Sequence, residues 1–444
     1  MRPTGPAGGT SRGRGDTRSS LMLAAVSETA VVNPRGAARL RAGHPWIFRD
    51  DVARGPARDA SDGGPFLVTI VDGRGRSLGR GTWAAQARIA LRVLARTEGG
   101  DGDGGDGGPV EGDGIEALMA VCEMRLDGAL ERRLALKLDR TAYRVVHAEA
   151  DGLPGLIVDR YADAAAIQTT SVAMNAARAP LAALVAARLK TRIVVARDDG
   201  SARDFEGLPR FSGVLAGSGD TRVVYRLGPN ELEADLATDG KTGGFLDQAD
   251  NHALVAALAP DGARALDAFT YHGGFALALA RRGGAVLATD ESAAAVARAR
   301  ANAARNGLGR MEVRQENAFD LLRALEGSGA RFDVVVLDPP ALAKRAGPGS
   351  RGTSVDAALA AADRAYRELF LRGARLTEPG GLLVACSCSG RVTRAHFDDL
   401  VAEALADAGR TAQILVRGGA GRDHPELVGV AETGHLKCWV LRVM

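Results

Sequence analysis

Beyond Ala265 the apolar positions follow two alternating rhythms. Short runs (Ala265-Leu266, Ala285 to Thr289, Met311-Glu312-Val313, Phe332 to Leu337 and Leu382 to Ala385) have the length and branched content of buried strands. Between them, Gly274 to Arg282, Ser292 to Asn306, Phe319 to Leu325 and Val355 to Leu376 read as helices. Gly307 closes the second of these as its C′ residue. Strict alternation of this kind predicts an α/β fold in which a parallel sheet is covered by helices on both faces. The last two apolar runs, Ala412 to Arg417 and Lys437 to Val443, are expected to close that sheet as a hairpin.

The earlier chain has a different texture. Val31 to about Arg96 reads as short strands and turns: Phe66 to Val71, a turn at Asp72-Gly73-Arg74-Gly75, then a return over Ser77 to Trp83. This predicts a small β-rich module over 31–97. Glu98 to Gly108 is nearly all Gly and Asp, so 98–114 is read as a flexible acidic linker. A helix is expected from Ile115 through Leu136 to Arg144. Strands follow at Leu156 to Asp159, Ala164 to Gln168 and Arg192 to Val195, with a helix over Ala177 to Leu189. That gives a mixed α/β middle domain over 115–225 and a final domain over 226–444. Residues 1–30, rich in Arg, Gly and Ser, read as a disordered tail without the apolar stretch of a signal peptide.

Composition changes this picture little. A chain of 444 residues suits two or three domains, and 46% apolar residues can fill large cores. A net charge of +3 neither demands nor opposes a nucleic-acid partner. Four scattered cysteines argue against a disulfide framework and for a reducing, cytoplasmic setting. No apolar run approaches the ~18 residues of a membrane span, so no membrane partner is expected.

The chemistry gathers where strands stop. Two matches carry none: Gly102-x-Gly104-x-x-Gly107 lies in the acidic linker without a strand before it, and Gly240-Lys241-Thr242 lacks the glycine that a phosphate loop needs, with Asp235 in its place. Leu266 to Phe275 is stronger, because the paired Gly273 and Gly274 between strand and helix let a ligand approach the backbone. Asp267 can accept from a cationic amine, and Asp290, at the end of the next strand, can take both hydroxyls of a ribose. No Gly-x-Gly-x-x-Gly pyrophosphate cradle is present here, so S-adenosylmethionine fits better than a dinucleotide. Asn317 follows the third strand, where its amide could serve an adenine edge or simply a turn.

Asp338-Pro339-Pro340 is a rigid loop that turns a carboxylate toward a planar, amino-bearing group. Cys386 and Cys388 end the next strand. No His/Cys pair at zinc spacing accompanies them, so a metal site is not expected; the open readings are small buried residues or, for Cys388 at the loop edge, a nucleophile. His272, within the glycine loop, could line the cofactor site.

In this order the residues resemble the bacterial 23S ribosomal RNA cytosine-5 methyltransferases of the PUA-plus-Rossmann type. Gly43 to Phe48 resembles the opening of that family's PUA module, Asp151 to Arg160 the signature of its middle domain, and Lys241 to Gln248 the approach to its catalytic domain. The resemblance implies a PUA domain that docks RNA, with Arg35, Arg39, Arg41 and Arg49 as phosphate partners, and a seven-stranded Rossmann-like sheet that holds S-adenosylmethionine. Phe245, Asp247 and Gln248 would border the cofactor, and Asp267, Phe269, Gly273 and Gly274 would wrap its methionine part. Asp290 would face the ribose, Asn317 the adenine, and Asp338 with Pro339 would stand between cofactor and target base. Cys388 would be the nucleophile. Many RNA cytosine-5 methyltransferases carry a second Cys after Pro-Pro; Ala341 stands there in this chain. The expected activity is therefore 5-methylcytosine formation in large-subunit rRNA. Methylation of guanine N2, or a non-enzymatic RNA-binding assembly factor, are the alternatives. A homodimer is compatible with the sequence.

Overall fold

The structure is a computed structural model that describes residues 28–97, 112–342 and 355–444. The literal Gly102/Gly104/Gly107 match and most of the N-terminal and linker assignments lie outside the described residues. The first module is a six-stranded sheet in the order Trp46–Phe48, Ile89–Arg96, Ser77–Trp83, Leu67–Val71, Thr29–Val32, Val52–Arg54. Both of its expected boundaries move. Ala30 is fully buried and pairs with Ile70, so the strand Thr29–Val32 belongs to the module and not to a tail. Asp113 belongs to it too: its carbonyl accepts from the amides of Phe66 and Leu67, and its carboxylate accepts from Glu28 and Arg80.

The middle domain is a five-stranded sheet flanked by the helices Ile115–Ala135 and Arg178–Leu189. The first helix is shorter than expected. Arg144 lies in the strand Ala142–His147, where pairing with Leu156–Tyr161 overrides the helical propensity of the Arg/Ala-rich text. The expected boundary at 225/226 falls inside the strand Arg222–Leu227, which forms a hairpin with Asn230–Asp235. The first two bodies are tied by a bidentate pair, Arg92 to Glu206 at 3.1 and 2.7 Å, with both side chains buried.

The arginines assigned to phosphate are partly engaged at home. Arg35 and Arg39 reach the buried Asp51. Arg49 lies over the Trp83 ring at 4.8 Å and donates to the Ala84 carbonyl, which removes it from the phosphate set. Arg35 and Arg41 keep most of their side chains in solvent.

The last domain is a seven-stranded sheet in the order Met311–Gln315, Ala285–Asp290, Arg264–Ala268, Phe332–Leu337, Thr377–Ser387, Lys437–Val443, Ala412–Gly418. Its first five strands are parallel and the final pair is the antiparallel hairpin that the sequence predicts. Alternation along the strands splits the apolar residues between two cores. Ala265, Val334, Val336, Val384 and Cys386 pack on one face; Leu266, Val335, Leu337, Leu383 and Ala385 pack on the other. Parallel strands covered on both faces leave the carboxyl ends as the exposed, functional edge. Among the described residues no helix is long and apolar enough to cross a membrane.

Candidate active site

A cavity of about 650 Å³ opens above the carboxyl ends of the five parallel strands. Phe245, Asp247, Gln248, Phe269, Gly274, Asp290, Asn317, Asp338, Pro339 and Cys388 all line it, from segments more than a hundred residues apart. Asp267 and Gly273 lie behind that wall. Asp267 accepts from Thr270 Oγ1 at 2.6 Å and the Ala276 amide at 3.0 Å, which fastens the glycine loop to the strand. Gly273 caps the helix Gly274–Ala280 with φ of 90°, a conformation that a side chain would strain. A Cβ on Gly274 would strike the His252 ring.

The carboxylates around this cavity are not alike. Burial, reinforced by Asp338 and Asp290, pushes Asp267 up to about 7. Burial and the neighbouring Asp247 likewise push Asp338 up to about 7, against the pull of Lys241 and Gln248. For Asp247 burial would do the same, but Lys241 at 2.7 Å and His435 at 3.1 Å outweigh it and hold the group well below the usual carboxylate range. Asp290 accepts from the Tyr271 amide at 3.0 Å and the Ser292 amide at 2.9 Å. Asn317 caps the helix Ala318–Gly327, its oxygen accepting from Phe319 at 3.0 Å, so only its NH2 group remains for a ligand. Burial lowers His272 to about 3, which leaves a neutral ring stacked on Tyr271 at 3.7 Å.

The two cysteines part company. Cys386 is fully buried opposite Cys438 in the core, whereas Cys388, past the strand end, faces the cavity that Asp338 lines. Burial and the nearby Asp338 push the Cys388 thiol up to about 11, with Lys241 pulling the other way. The resting group is therefore a thiol.

Comparison with known proteins fits this geometry. The PUA-like domain family matches residues 30–96, and the methyltransferase domain family matches 260–417. The ribosomal RNA large subunit methyltransferase I of Tolumonas auensis is 33% identical over 407 residues, covering 90% of this chain and 96% of the relative. The ribosomal RNA large subunit methyltransferase of Deinococcus radiodurans is 35% identical over 423 residues, covering 91% and 94%. This chain belongs to the ribosomal RNA large-subunit methyltransferase family. In fold it matches a SAM-dependent methyltransferase from Streptococcus mutans, with a TM-score of 0.71 at 15% identity over 93% of this chain and 99% of the other. A methyltransferase solved with SAH matches at a TM-score of 0.73 and 16% identity, with coverage of 93% and 99%.

The cofactor of this methyltransferase is S-adenosylmethionine, and the residues present suit it. Among the described residues, Asp247 Oδ1 and His272 Nδ1 on the cavity wall and Asp267 Oδ1 behind it are buried polar atoms without a hydrogen-bond partner. Two unpaired carboxylate oxygens and a neutral histidine suit a ligand with cationic and amino groups better than a phosphate. Thr242, from the apparent phosphate-loop fragment, is buried and donates to Asp159 at 2.6 Å, so it braces the middle domain. Sequence reasoning missed Lys241 and His435 as partners of Asp247, and Tyr271, whose hydroxyl accepts from the Gly240 amide at 2.8 Å. One signal was available: a lysine six residues before an acid in the Lys241 to Gln248 segment.

Proposed function

We propose that this methyltransferase forms 5-methylcytosine in large-subunit ribosomal RNA, with Cys388 as nucleophile and Asp338 as its acid partner. The observation that carries the reading is the convergence of these two side chains on the cavity that also holds the cofactor residues, while Cys386 is turned into the core.

The target base leaves its stack to enter the cavity. The Cys388 sulfur adds to C6 of the ring, and N3 gains a proton. With the thiol near 11 and the acid near 7, the pair holds one proton between those values, and the form with a thiolate and a protonated Asp338 carries the same total. Asp338 thus relays the thiol proton to N3 without a net change in charge. The ring's C5 then becomes an enamine carbon able to attack. Bound S-adenosylmethionine supplies an electrophilic methyl group. Loss of the C5 proton and cleavage of the C6–S bond return the thiol; Ala341 cannot serve as the base, so the proton leaves to the Asp338 carboxylate or to water. The PUA-like module docks the RNA through backbone contacts, with the exposed Arg35 and Arg41 as its phosphate partners.

Large-subunit RNA carrying 5-fluorocytosine tests the assignment, because a C5 fluorine blocks the final elimination. The wild type is expected to form a covalent RNA adduct and Cys388→Ala none, with C5 methylation reduced by about 10³-fold or more. Normal methylation by Cys388→Ala, or methylation of guanine N2 without any adduct, overturns the reading.

A further inference from the structure

Lys437 opens the last-but-one strand of the sheet and is only 2% exposed. Its Nζ donates to the Ser389 carbonyl at 2.7 Å and to the His435 carbonyl at 2.9 Å, and neither partner is a carboxylate. Burying an ammonium in this way is expensive, because carbonyl dipoles solvate the charge without cancelling it. The same turn is gripped from the other side. The Tyr366 hydroxyl lies 2.9 Å from Ser387 Oγ and 3.1 Å from Ser389 Oγ. Cys388 is the residue between those two serines.

We propose that Lys437 is the positioning and charge-balancing residue of the Cys388 thiol. It fixes the turn through the Ser389 and His435 carbonyls, and its ammonium offsets the negative charge that forms on sulfur. The inference rests on the reading of Cys388 as nucleophile. The charges around the pair define its setting. Asp338 and Asp247 oppose a thiolate at Cys388 and Lys241 favours it. Burial brings Lys437 down to about 8, Cys388 and Glu426 favour its ammonium, and Arg394 opposes it. The Tyr366 phenol, kept neutral by burial, supplies hydrogen bonds and no charge. A thiolate at Cys388 would thus add to Glu426 as a second negative charge acting on this buried lysine.

The test is alkylation of Cys388 by iodoacetamide in the full chain between pH 6 and 10, read by peptide mass spectrometry without RNA or cofactor. Lys437→Met is expected to shift the reactivity profile to higher pH by about one unit, a roughly tenfold slower reaction at pH 8. Methylation kcat should fall while KM for RNA stays put. Lys437→Arg should recover most of the reactivity. Lys437→Gln keeps the donors but no charge and should behave like the Met variant; it serves as the reading if the Met variant does not fold. Tyr366→Phe loosens the turn and leaves the charge, so it should lower kcat without moving the profile. Neutral variants whose alkylation profiles superpose on the wild type overturn the proposal. Because alkylation reads the sulfur without any substrate, that result is distinct from Cys388→Ala retaining methylation, which would overturn the nucleophile reading instead.

Discussion

Asp247 on the cavity wall and Asp267 just behind it share a residue type and near-complete burial, yet they titrate in opposite directions. Asp247 is 3% exposed and carries Lys241 and His435 on one oxygen, so it stays ionised. Asp267 is 1% exposed and, among the described residues, bonds only to Thr270 and Ala276 and has no cation beside it. Among the described residues both leave their Oδ1 unpaired. Depth in the protein therefore does not decide the charge of a carboxylate here; the company it keeps does. Asp247 has its counter-ions built in. Asp267 has no such counter-ion among the described residues, and one of its oxygens stays unpaired.

Removing the unpaired charge should have the largest effect. Asp267→Asn keeps an oxygen for Thr270 and Ala276 and deletes the buried negative charge. A rise from 3.8 to about 7 corresponds to at most about 4 kcal/mol of stability withheld from the free protein. The sign follows from a folded value above the unfolded one: the native state binds the proton more tightly, so stability is fully present below about 4 and is lost as pH rises through 7. The variant is expected to be more stable than the wild type at pH 8 by up to that amount, with the gain fading toward pH 4. Binding of S-adenosylmethionine should weaken by about 10²-fold, as expected for loss of a buried charge-assisted contact. Denaturant unfolding at pH 4 and 8, with calorimetry of cofactor binding, reads both; equal stability at the two pH values would remove the contrast.

The sequence disclosed one member of this contrast and hid the reason for the other. Asp267, Asp290, Asp338 and Cys388 are legible because each stands where an apolar run breaks, and in a parallel sheet those breaks fall on one edge. The alternation that buries Cys386 with Val384 and leaves Cys388 past the strand end is legible for the same reason. Lys241 and His435 are not. One comes from the loop after a hairpin and the other from the loop before the final strand, and they meet Asp247 only after the chain has closed on itself. Asn317 shows the opposite limit: the residue was found, but its oxygen is committed to a helix cap. Arg144 was misplaced in a helix because local propensity cannot see the strand partner that captures it.

Stripping Asp247 of its built-in cation should be the middle-sized effect. Among the described residues, Lys241→Met leaves His435 as the only side chain bonded to that carboxylate. Breaking a buried pair from one side costs about 3–5 kcal/mol, but the lysine is about a third exposed and solvent screens its share, so about 2 kcal/mol is expected. The pH window is the reverse of that for Asp267. A depressed carboxylate contributes stability that is present above the unfolded value near 3.9 and is lost as pH falls through its folded value. The deficit of Lys241→Met should hold from pH 8 to about 5 and close in more acid solution. A deficit that instead stayed constant down through acid pH would show that Lys241 acts through packing on Phe245, over whose ring it lies at 4.2 Å.

The smallest effect separates the two partners of Asp247. His435 shares Asp247 Oδ2 with Lys241 and offers a single bond from a ring that is 29% exposed. His435→Gln keeps a donor of similar reach, so the cost in stability should be about 0.5 kcal/mol, near the low end for a side-chain hydrogen bond. His435→Ala removes the donor and should cost about 1 kcal/mol. Both deficits should follow the acid-side window of Lys241→Met. If Asp247 is held by two additive partners, a double-mutant cycle of Lys241→Met with His435→Ala gives a coupling close to zero. A coupling of about 1 kcal/mol or more would mean that the carboxylate, lysine and imidazole act as one unit, and that the cavity's fixed charge is a network property and not that of an ion pair.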